Sequence, residues 1–146
     1  MAHLAPRFGI VAGEASGDRL GAALIRAIRT LAPRAQFCGM VGPQMLEAGC
    51  EPLAHIDQLS VMGFVEVLRS YPRLLKLRSQ LLQHFLRDPP DVVVGIDVPD
   101  FNLGLEARLK KHGIRTVHYV CPQVWAWRKW RAASIGRSTD RLLALL

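Results

Sequence analysis

The chain has 146 residues, of which 50% are hydrophobic and 21% charged, and its formal net charge is +7. This length fits one domain with a sizeable core, and no stretch approaches the ~18 consecutive apolar residues of a membrane span. Pro6 and Arg7 interrupt the apolar run that a secretory signal would need. The three cysteines are widely spaced and lack a CxxC pair, so we expect reduced thiols in a cytoplasmic protein rather than disulfides or a zinc site.

The positive charge is concentrated in the second half of the chain. Residues 1–61 carry five Lys or Arg and five Asp or Glu, whereas residues 62–146 carry fourteen and seven. Such an excess predicts an anionic partner, which could be nucleic acid, a phosphorylated ligand or anionic lipid. Charge alone does not distinguish among these three.

Strand and helix signals alternate along the chain. The predicted strands cover residues 8–12, 36–41, 51–53, 91–96, 115–120 and 141–146. The predicted helices cover residues 17–31, 42–49, 62–87, 101–112 and a short segment that ends near residue 135. This alternation predicts an α/β fold with a Rossmann-like, doubly wound parallel sheet and right-handed crossovers. Because the sequence stops inside an apolar run, we expect the chain to be part of a longer protein.

The turn over residues 13–18 lies where a Rossmann fold places its phosphate-binding glycines. Its glycines are four residues apart, which matches neither a GxGxxG motif nor a Walker loop. One interpretation is that they let the following helix pack closely on the sheet. The other is a ligand site formed by free N–H groups at the helix start. Its acidic and hydroxyl side chains would suit a sugar better than a bare phosphate, and the candidate residues are Glu14, Ser16, Gly17 and Asp18.

The segment 62–86 carries two apolar stripes at helical spacing. The first stripe contains Leu68, Tyr71, Leu75, Leu82 and Phe85, and the second contains Val67, Leu74, Leu77 and Leu81. Arg69, Arg73 and Lys76 form a basic edge, and Pro72 is predicted to start a fresh helix. One stripe is enough to dock on a sheet. A second stripe beside cations is typical of a membrane-surface helix, and a helix buried on both sides is the alternative.

Asp97 is the first candidate for chemistry. It follows an apolar run in which three consecutive valines indicate a buried parallel strand. Ligands bind at the C-terminal ends of strands in open α/β sheets, and a carboxylate there can act as a general base toward a hydroxyl group. The alternative is a buried carboxylate that accepts hydrogen bonds from backbone N–H groups.

Asp100 precedes the helix that is predicted to begin at Phe101, and we interpret it as the N-cap of that helix. The two acids have a DxxD spacing, and no histidine or further acid lies nearby in sequence. No metal site is therefore predicted.

Aromatic and basic residues mix in the segment 125–131, WAWRKWR. Such segments can stack on single-stranded nucleic acid, but no nucleic-acid-binding motif accompanies this one. We therefore expect no nucleic-acid partner. The same segment can equally bind a phosphosugar or lie at a lipid interface, and Trp125 and Arg128 are its candidates for binding substrate. His118 and Cys121 lie close together in sequence just before this segment, without a recognisable nucleophile–base arrangement.

Four segments together resemble the lipid-A-disaccharide synthase family. They are VAGEASGD at residues 11–18, VMGFVEVL at 61–68, GIDVPDFN at 95–102 and VWAWR at 124–128. They occur in the order of the family and span nearly all of the chain. Cys121 is a departure, because family members often have Ser in this segment.

The resemblance implies an inverting GT-B glycosyltransferase of Gram-negative lipid A biosynthesis. Residues 1–146 would form its N-terminal, acceptor-side domain, and the UDP-sugar-binding domain would lie outside this chain. The implied reaction transfers 2,3-diacylglucosamine from UDP-2,3-diacylglucosamine to 2,3-diacylglucosamine 1-phosphate (lipid X), giving UDP and a β-1,6-linked disaccharide phosphate. It implies no cofactor and no tightly held metal. Without the donor site, the chain alone is expected to be inactive.

The resemblance also implies roles for individual residues. Asp97 falls on the position that deprotonates the acceptor hydroxyl, and the loop with Glu14, Ser16, Gly17 and Asp18 lines the cleft. The implied membrane-facing residues are Val65, Val67, Leu68, Leu74 and Leu75, beside Arg69 and Arg73. We therefore expect a cytoplasmic protein bound peripherally to the inner membrane, with a homodimer as a candidate assembly.

Other classes of protein remain as alternatives. A UDP-N-acetylglucosamine epimerase would share the GT-B sheet but would not require the second apolar stripe. A dinucleotide-binding domain would need the glycine spacing that this turn lacks. A lipid- or phosphosugar-binding domain without catalysis is a further alternative for this chain.

Overall fold

Six parallel strands form one sheet in the computed structural model, which describes residues 5–60, 67–120 and 141–144. The strands are β1 (Arg7–Val11), β2 (Gln36–Val41), β3 (Glu51–His55), β4 (Val92–Ile96), β5 (Arg115–Val120) and β6 (Arg141–Ala144). The helices are α1 (Ala15–Leu31), α2 (Pro43–Glu47), α3 (Asp57–Ser60), α4 (Val67–Arg87) and α5 (Pro99–Lys111). The strand order is β3-β2-β1-β4-β5-β6, so the predicted doubly wound parallel sheet is confirmed.

Helices cover both faces of this sheet. A Cβ atom at Gly17 of α1 would lie 3.5 Å from Ile96 of β4, whereas one at Gly95 would collide with Glu106 of α5. Successive residues of a strand point to opposite faces, so α1 and α5 lie on opposite sides of β4. With both faces covered, the central strands β1 and β4 are buried over their C-terminal residues, which explains why their sequences do not alternate between polar and apolar residues.

Helix α4 packs on the sheet mainly through the second apolar stripe of the sequence. Leu77 and Leu81 are 4% and 2% exposed, and Phe85 of the first stripe is fully buried. Phe85 lies against Gly9 of β1, where a Cβ atom would approach its ring to 2.7 Å. Leu75 is 37% exposed, so the first stripe is divided between the core and the surface.

Two predicted helix starts are wrong. Helix α4 continues through Pro72, since the loss of one helical hydrogen bond is compensated by the buried face of the helix. Helix α5 begins at Pro99 after Val98 as its N-cap, so Asp100 lies inside the first turn and is not the cap. A proline at the first helical position has a backbone angle that already suits a helix. The short helix predicted to end near residue 135 lies outside the described residues.

Asp18 joins the first two helices. Its side chain is 2% exposed, and its carboxylate accepts hydrogen bonds from the backbone N–H groups of Gly42, Gln44 and Met45 at 3.0, 2.9 and 2.9 Å. These are the unpaired donors at the start of α2, which a side-chain oxygen normally caps. Asp18 therefore caps α2 from the first turn of α1, 24 residues earlier in the chain.

We expect Asp18→Ala to lower the free energy of unfolding by about 2 kcal/mol or more, because capping is lost and buried N–H donors are left unpaired. Chemical denaturation of the chain measures this change. Glu47→Ala is the matched control, since Glu47 is an exposed carboxylate at the end of the same helix. Equal stability of the two variants would contradict the capping role.

Candidate active site

Two turns meet at the C-terminal edge of the sheet. The strands β1 and β4 are neighbours at its centre, and the chain leaves them toward helices on opposite faces. A Cβ atom at Gly13, after β1, would lie 2.6 Å from Val98 after β4 and 2.8 Å from Leu59. In open α/β sheets, the crevice at this reversal of strand order is where ligands bind.

The turn after β4 has an unusual backbone. Asp97 and Val98 have φ angles of +51° and +44°, the only positive values among the non-glycine residues that the structure describes. This left-handed conformation is especially unfavourable for β-branched Val98, and such residues cost about 1–3 kcal/mol each. Strain of this kind persists only where surrounding contacts fix the backbone, and it is concentrated at functional sites.

Hydrogen bonds from two neighbouring elements hold this turn. The Asp97 N–H donates to the Tyr119 carbonyl of β5 at 2.7 Å. The Asn102 side-chain amide of α5 donates to the carbonyl of Asp97 at 2.8 Å, with the carbonyls of Ile96 and Val11 at 3.2 and 3.3 Å. Asn102 is 1% exposed, so a buried amide links the ends of β1 and β4 to the turn.

The Asp97 side chain is half-buried at this edge. Burial and the nearby negative charge of Glu14 raise the pKa of Asp97, whereas a hydrogen bond from the Val98 backbone and the positive charge of His118 act in the opposite direction. A raised pKa suits a carboxylate that must accept a proton near neutral pH. Asp97 thus lies where the sequence predicted it, at the tip of a buried strand.

The predicted residues of the first turn divide into two groups. Glu14 and Ser16 are exposed, and the Ser16 hydroxyl donates to a Glu14 carboxylate oxygen at 2.9 Å. Glu14 is the N-cap residue of α1 but makes no side-chain capping bond, and its negative charge acts on Asp97. Gly17 and Asp18 are buried. Since Asp18 caps α2, its carboxylate is not presented to a ligand, which corrects the role predicted for it.

Other predicted site residues lie elsewhere or outside the described residues. Trp125, Arg128 and Val65 lie outside them. Val67, Leu68 and Arg69 begin α4, and in its next turn Arg73 and Leu75 are exposed while Leu74 is half-buried against the core. The described residues of the predicted membrane-facing set therefore all lie on α4, whereas Asp97 follows β4.

Sequence reasoning missed a buried polar pair behind Asp97. The carboxylate of Glu106 on α5 lies 2.9 Å from Nδ1 of His118 on β5, and both side chains are fully buried. The available signals were Gly95, which leaves room for Glu106, and a histidine inside an apolar strand. His118 thus has a carboxylate partner on α5, and Cys121 lies outside the described residues.

The described cysteines do not suit a nucleophile. Burial raises the pKa of Cys38 to about 11 and that of Cys50 to about 12. A thiol becomes reactive as the thiolate, which a low pKa favours. Within residues 5–60, 67–120 and 141–144, no group of three or more His, Cys, Asp or Glu side chains is placed to hold a metal ion.

Comparison with known proteins gives close relatives over nearly the whole chain. A lipid-A-disaccharide synthase from Alkalilimnicola ehrlichii is 60% identical over 139 residues, which are 95% of this chain and 36% of that protein. Proteins of the same name from Yersinia pestis and Photobacterium profundum are 57% and 56% identical, over 94% and 96% of this chain and 35% and 37% of their own lengths. The chain thus spans just over a third of the relatives that it matches.

A solved structure shows the same fold at low sequence identity. The glycotransferase of kitacinnamycin aligns with a TM-score of 0.60 and 16% identity, over 90% of this chain and 38% of that one. At this identity the likeness concerns the fold alone. The family profile described as lipid-A-disaccharide synthetase matches residues 8–146. Because that match covers most of the sequence, the chain belongs to the lipid-A-disaccharide synthetase family.

Proposed function

We propose that this chain is the acceptor-side, N-terminal part of a lipid A glycosyltransferase. The reaction would transfer 2,3-diacylglucosamine from its UDP derivative to lipid X, giving the β-1,6-linked disaccharide phosphate and UDP. The observation that carries the proposal is Asp97, a half-buried carboxylate with a raised pKa on a strained turn at the reversal of strand order. Family membership supports the reaction type.

In the proposed step, Asp97 accepts the proton of the acceptor's 6-hydroxyl group. The hydroxyl oxygen attacks C1 of the donor sugar, the bond from C1 to UDP breaks, and the configuration at C1 inverts. A positioned general base contributes about 10²–10⁴-fold to such a step. The proton moves to Asp97 and the negative charge leaves with UDP, so no oxidant or cofactor is needed.

Glu14 and Ser16 are the proposed acceptor-binding residues of this chain. Glu14 is exposed on the turn after β1, and Ser16 is exposed in the first turn of α1. The turn after β1 contacts the Asp97 turn through Gly13 and Val98. A carboxylate accepts hydrogen bonds from sugar hydroxyls, and a serine hydroxyl both donates to them and accepts from them. Trp125 and Arg128 remain proposed contacts on the basis of the sequence alone. The donor site would lie in the part of the relatives that this chain does not match.

Asp97→Asn tests the base directly. The assay uses a chimera in which this chain replaces the matching segment of the Alkalilimnicola relative. We expect kcat to fall by about 10²–10⁴-fold, because Asn cannot accept the proton. The fold should be retained, since Asn tolerates the left-handed conformation. Transfer is measured as UDP release in the presence of donor and lipid X.

Asp91→Asn is the matched control, because Asp91 lies next to the opposite end of β4. Its carboxylate accepts a hydrogen bond from the Arg7 backbone N–H, and an Asn side-chain oxygen can accept the same bond. It should leave kcat close to the wild-type value. Near-normal kcat in Asp97→Asn would contradict the role of Asp97. An unmutated chimera that folds and binds lipid X without transfer would favour a binding domain without catalysis.

The pH dependence of the same chimera is a separate test. A base must be ionised, so kcat/KM should fall as the pH drops through the pKa of Asp97, at a pH above the usual range of an Asp carboxyl. The negative charge of Glu14 raises this pKa, so Glu14→Gln should move the acidic limb to lower pH. An acidic limb at the same or a higher pH in Glu14→Gln would contradict this coupling.

We also propose that the start of α4 meets the surface of the inner membrane. Leu75 is 37% exposed, and Arg73 and Lys76 beside it are exposed as well. An apolar side chain flanked by cations is the arrangement that binds an anionic bilayer surface. Among the described helices, none is both long and apolar enough to span a bilayer.

The double variant Arg73→Glu/Leu75→Ser should bind anionic vesicles at least about tenfold more weakly than the wild-type chain, because each cation near such a surface contributes about 1 kcal/mol. Co-sedimentation with vesicles containing phosphatidylglycerol measures binding at low and high salt. Leu31→Ser is the matched control, since Leu31 is 89% exposed at the end of α1. Equal binding by the double variant and Leu31→Ser would exclude this surface.

A further inference from the structure

A column of buried polar side chains lies directly behind the Asp97 turn. Asn102 and Glu106 are one helical turn apart on α5, and His118 faces them from β5. Their side chains are between 0% and 1% exposed. Buried polar groups are costly unless they are paired, so a column of three needs a physical reason.

Asn102 contacts both residues of the strained turn. Its side-chain amide donates to the Asp97 carbonyl at 2.8 Å, and its backbone N–H donates to the Val98 carbonyl at 3.0 Å. An apolar residue of similar size at position 102 could still donate its backbone N–H to the Val98 carbonyl, but it could not bond to the Asp97 carbonyl. The side chain of Asn102 therefore acts on the residue that carries the proposed catalytic carboxylate.

Glu106 and His118 extend the column toward β5. The carboxylate of Glu106 is 2.9 Å from Nδ1 of His118, and a Cβ atom at position 95 would collide with this carboxylate where it now lies. His118 is paired in register with Gly95, and the next residue of β5, Tyr119, accepts the Asp97 N–H. The pair thus ties α5 to the strand that holds the other side of the turn.

The column has more hydrogen-bonding capacity than its members use. Among the described residues, Oδ1 of Asn102, Oε2 of Glu106 and Nε2 of His118 are buried without a partner. Burial raises the pKa of Glu106 to about 7, against the opposing effect of His118. Replacing a buried polar pair by apolar residues of similar volume is often neutral or stabilising, so stability alone does not account for the column. Unpaired buried polar groups of this kind point to a functional role.

We propose that Asn102, Glu106 and His118 are positioning residues for the Asp97 carboxylate, an inference that rests on the proposed role of Asp97 as the base. Asn102 fixes the backbone of the turn, and Glu106 holds His118 where its positive charge acts on Asp97. The charged groups that act on the pKa of Asp97 are Glu14 on the turn after β1 and His118 on β5, and His118 in turn contacts Glu106 on α5. The column therefore sets both the place and the electrostatic environment of the carboxylate.

The first test uses the chain alone and does not depend on transfer activity. Carboxyl NMR titration measures the pKa of Asp97, and amide hydrogen exchange measures protection of its N–H. His118→Gln should raise the pKa of Asp97, because a nearby positive charge is lost. Asn102→Ala should speed exchange of the Asp97 amide by about tenfold or more, because the turn loses a bond that fixes it.

Leu109→Val is the matched control, since Leu109 is fully buried on α5 and apolar. It should change neither readout once global stability is taken into account. If Asn102→Ala does not fold, the titration of His118→Gln decides the question. Wild-type values of both readouts in folded column variants would overturn the proposal and leave the column with a structural role only.

The second test uses the chimera with the Alkalilimnicola relative. His118→Gln should move the acidic limb of kcat/KM to higher pH, in the direction opposite to Glu14→Gln. Glu106→Gln can still bond to His118 and should retain most of kcat, whereas Glu106→Leu should lose about tenfold or more with KM little changed. Equal kcat in Glu106→Gln and Glu106→Leu would overturn the role of Glu106. An inactive unmutated chimera would overturn the proposed function instead, while the titration of the chain alone would still test the column.

Discussion

The strained turn after β4 is the constraint on which the candidate site depends. Two successive non-glycine residues, Asp97 and Val98, adopt the left-handed conformation, which is stable only where the surroundings fix it. The neighbouring strand β5 accepts the Asp97 N–H, α5 supplies the Asn102 amide, and Gly13 leaves room for Val98. The same contacts that hold the backbone also place the carboxylate at the reversal of strand order, where a ligand can reach it.

Much of this arrangement could be predicted from local sequence. The run of valines before Asp97 predicted a buried parallel strand, and the strand order then placed its tip beside the turn after β1. The role of Asp18 could not be predicted, because its hydrogen bonds are to the backbone of residues 24 to 27 positions later. The pairing of Glu106 with His118 was missed for the same reason, since it joins a helix to a strand across the sheet face.

Periodicity described α4 correctly as amphipathic but did not identify its buried side. Both apolar stripes had the spacing of a docking face, and the choice depends on the shape of the sheet surface, where Gly9 admits Phe85. Pro72 predicts a break in the sequence pattern, because a proline weakens an isolated helix. In the folded chain, tertiary packing of the face around Leu77 and Leu81 keeps the helix continuous, as expected where packing outweighs local preference.

A chemical-shift titration of the isotope-labelled chain with lipid X and, separately, with UDP tests the proposal that this chain carries the acceptor side of a lipid A glycosyltransferase around Asp97. We predict that lipid X shifts the amide signals of the two turns at residues 13–16 and 95–98, and that UDP leaves them unchanged. Shifts of these signals with UDP but not with lipid X, or with neither ligand, would contradict the claim.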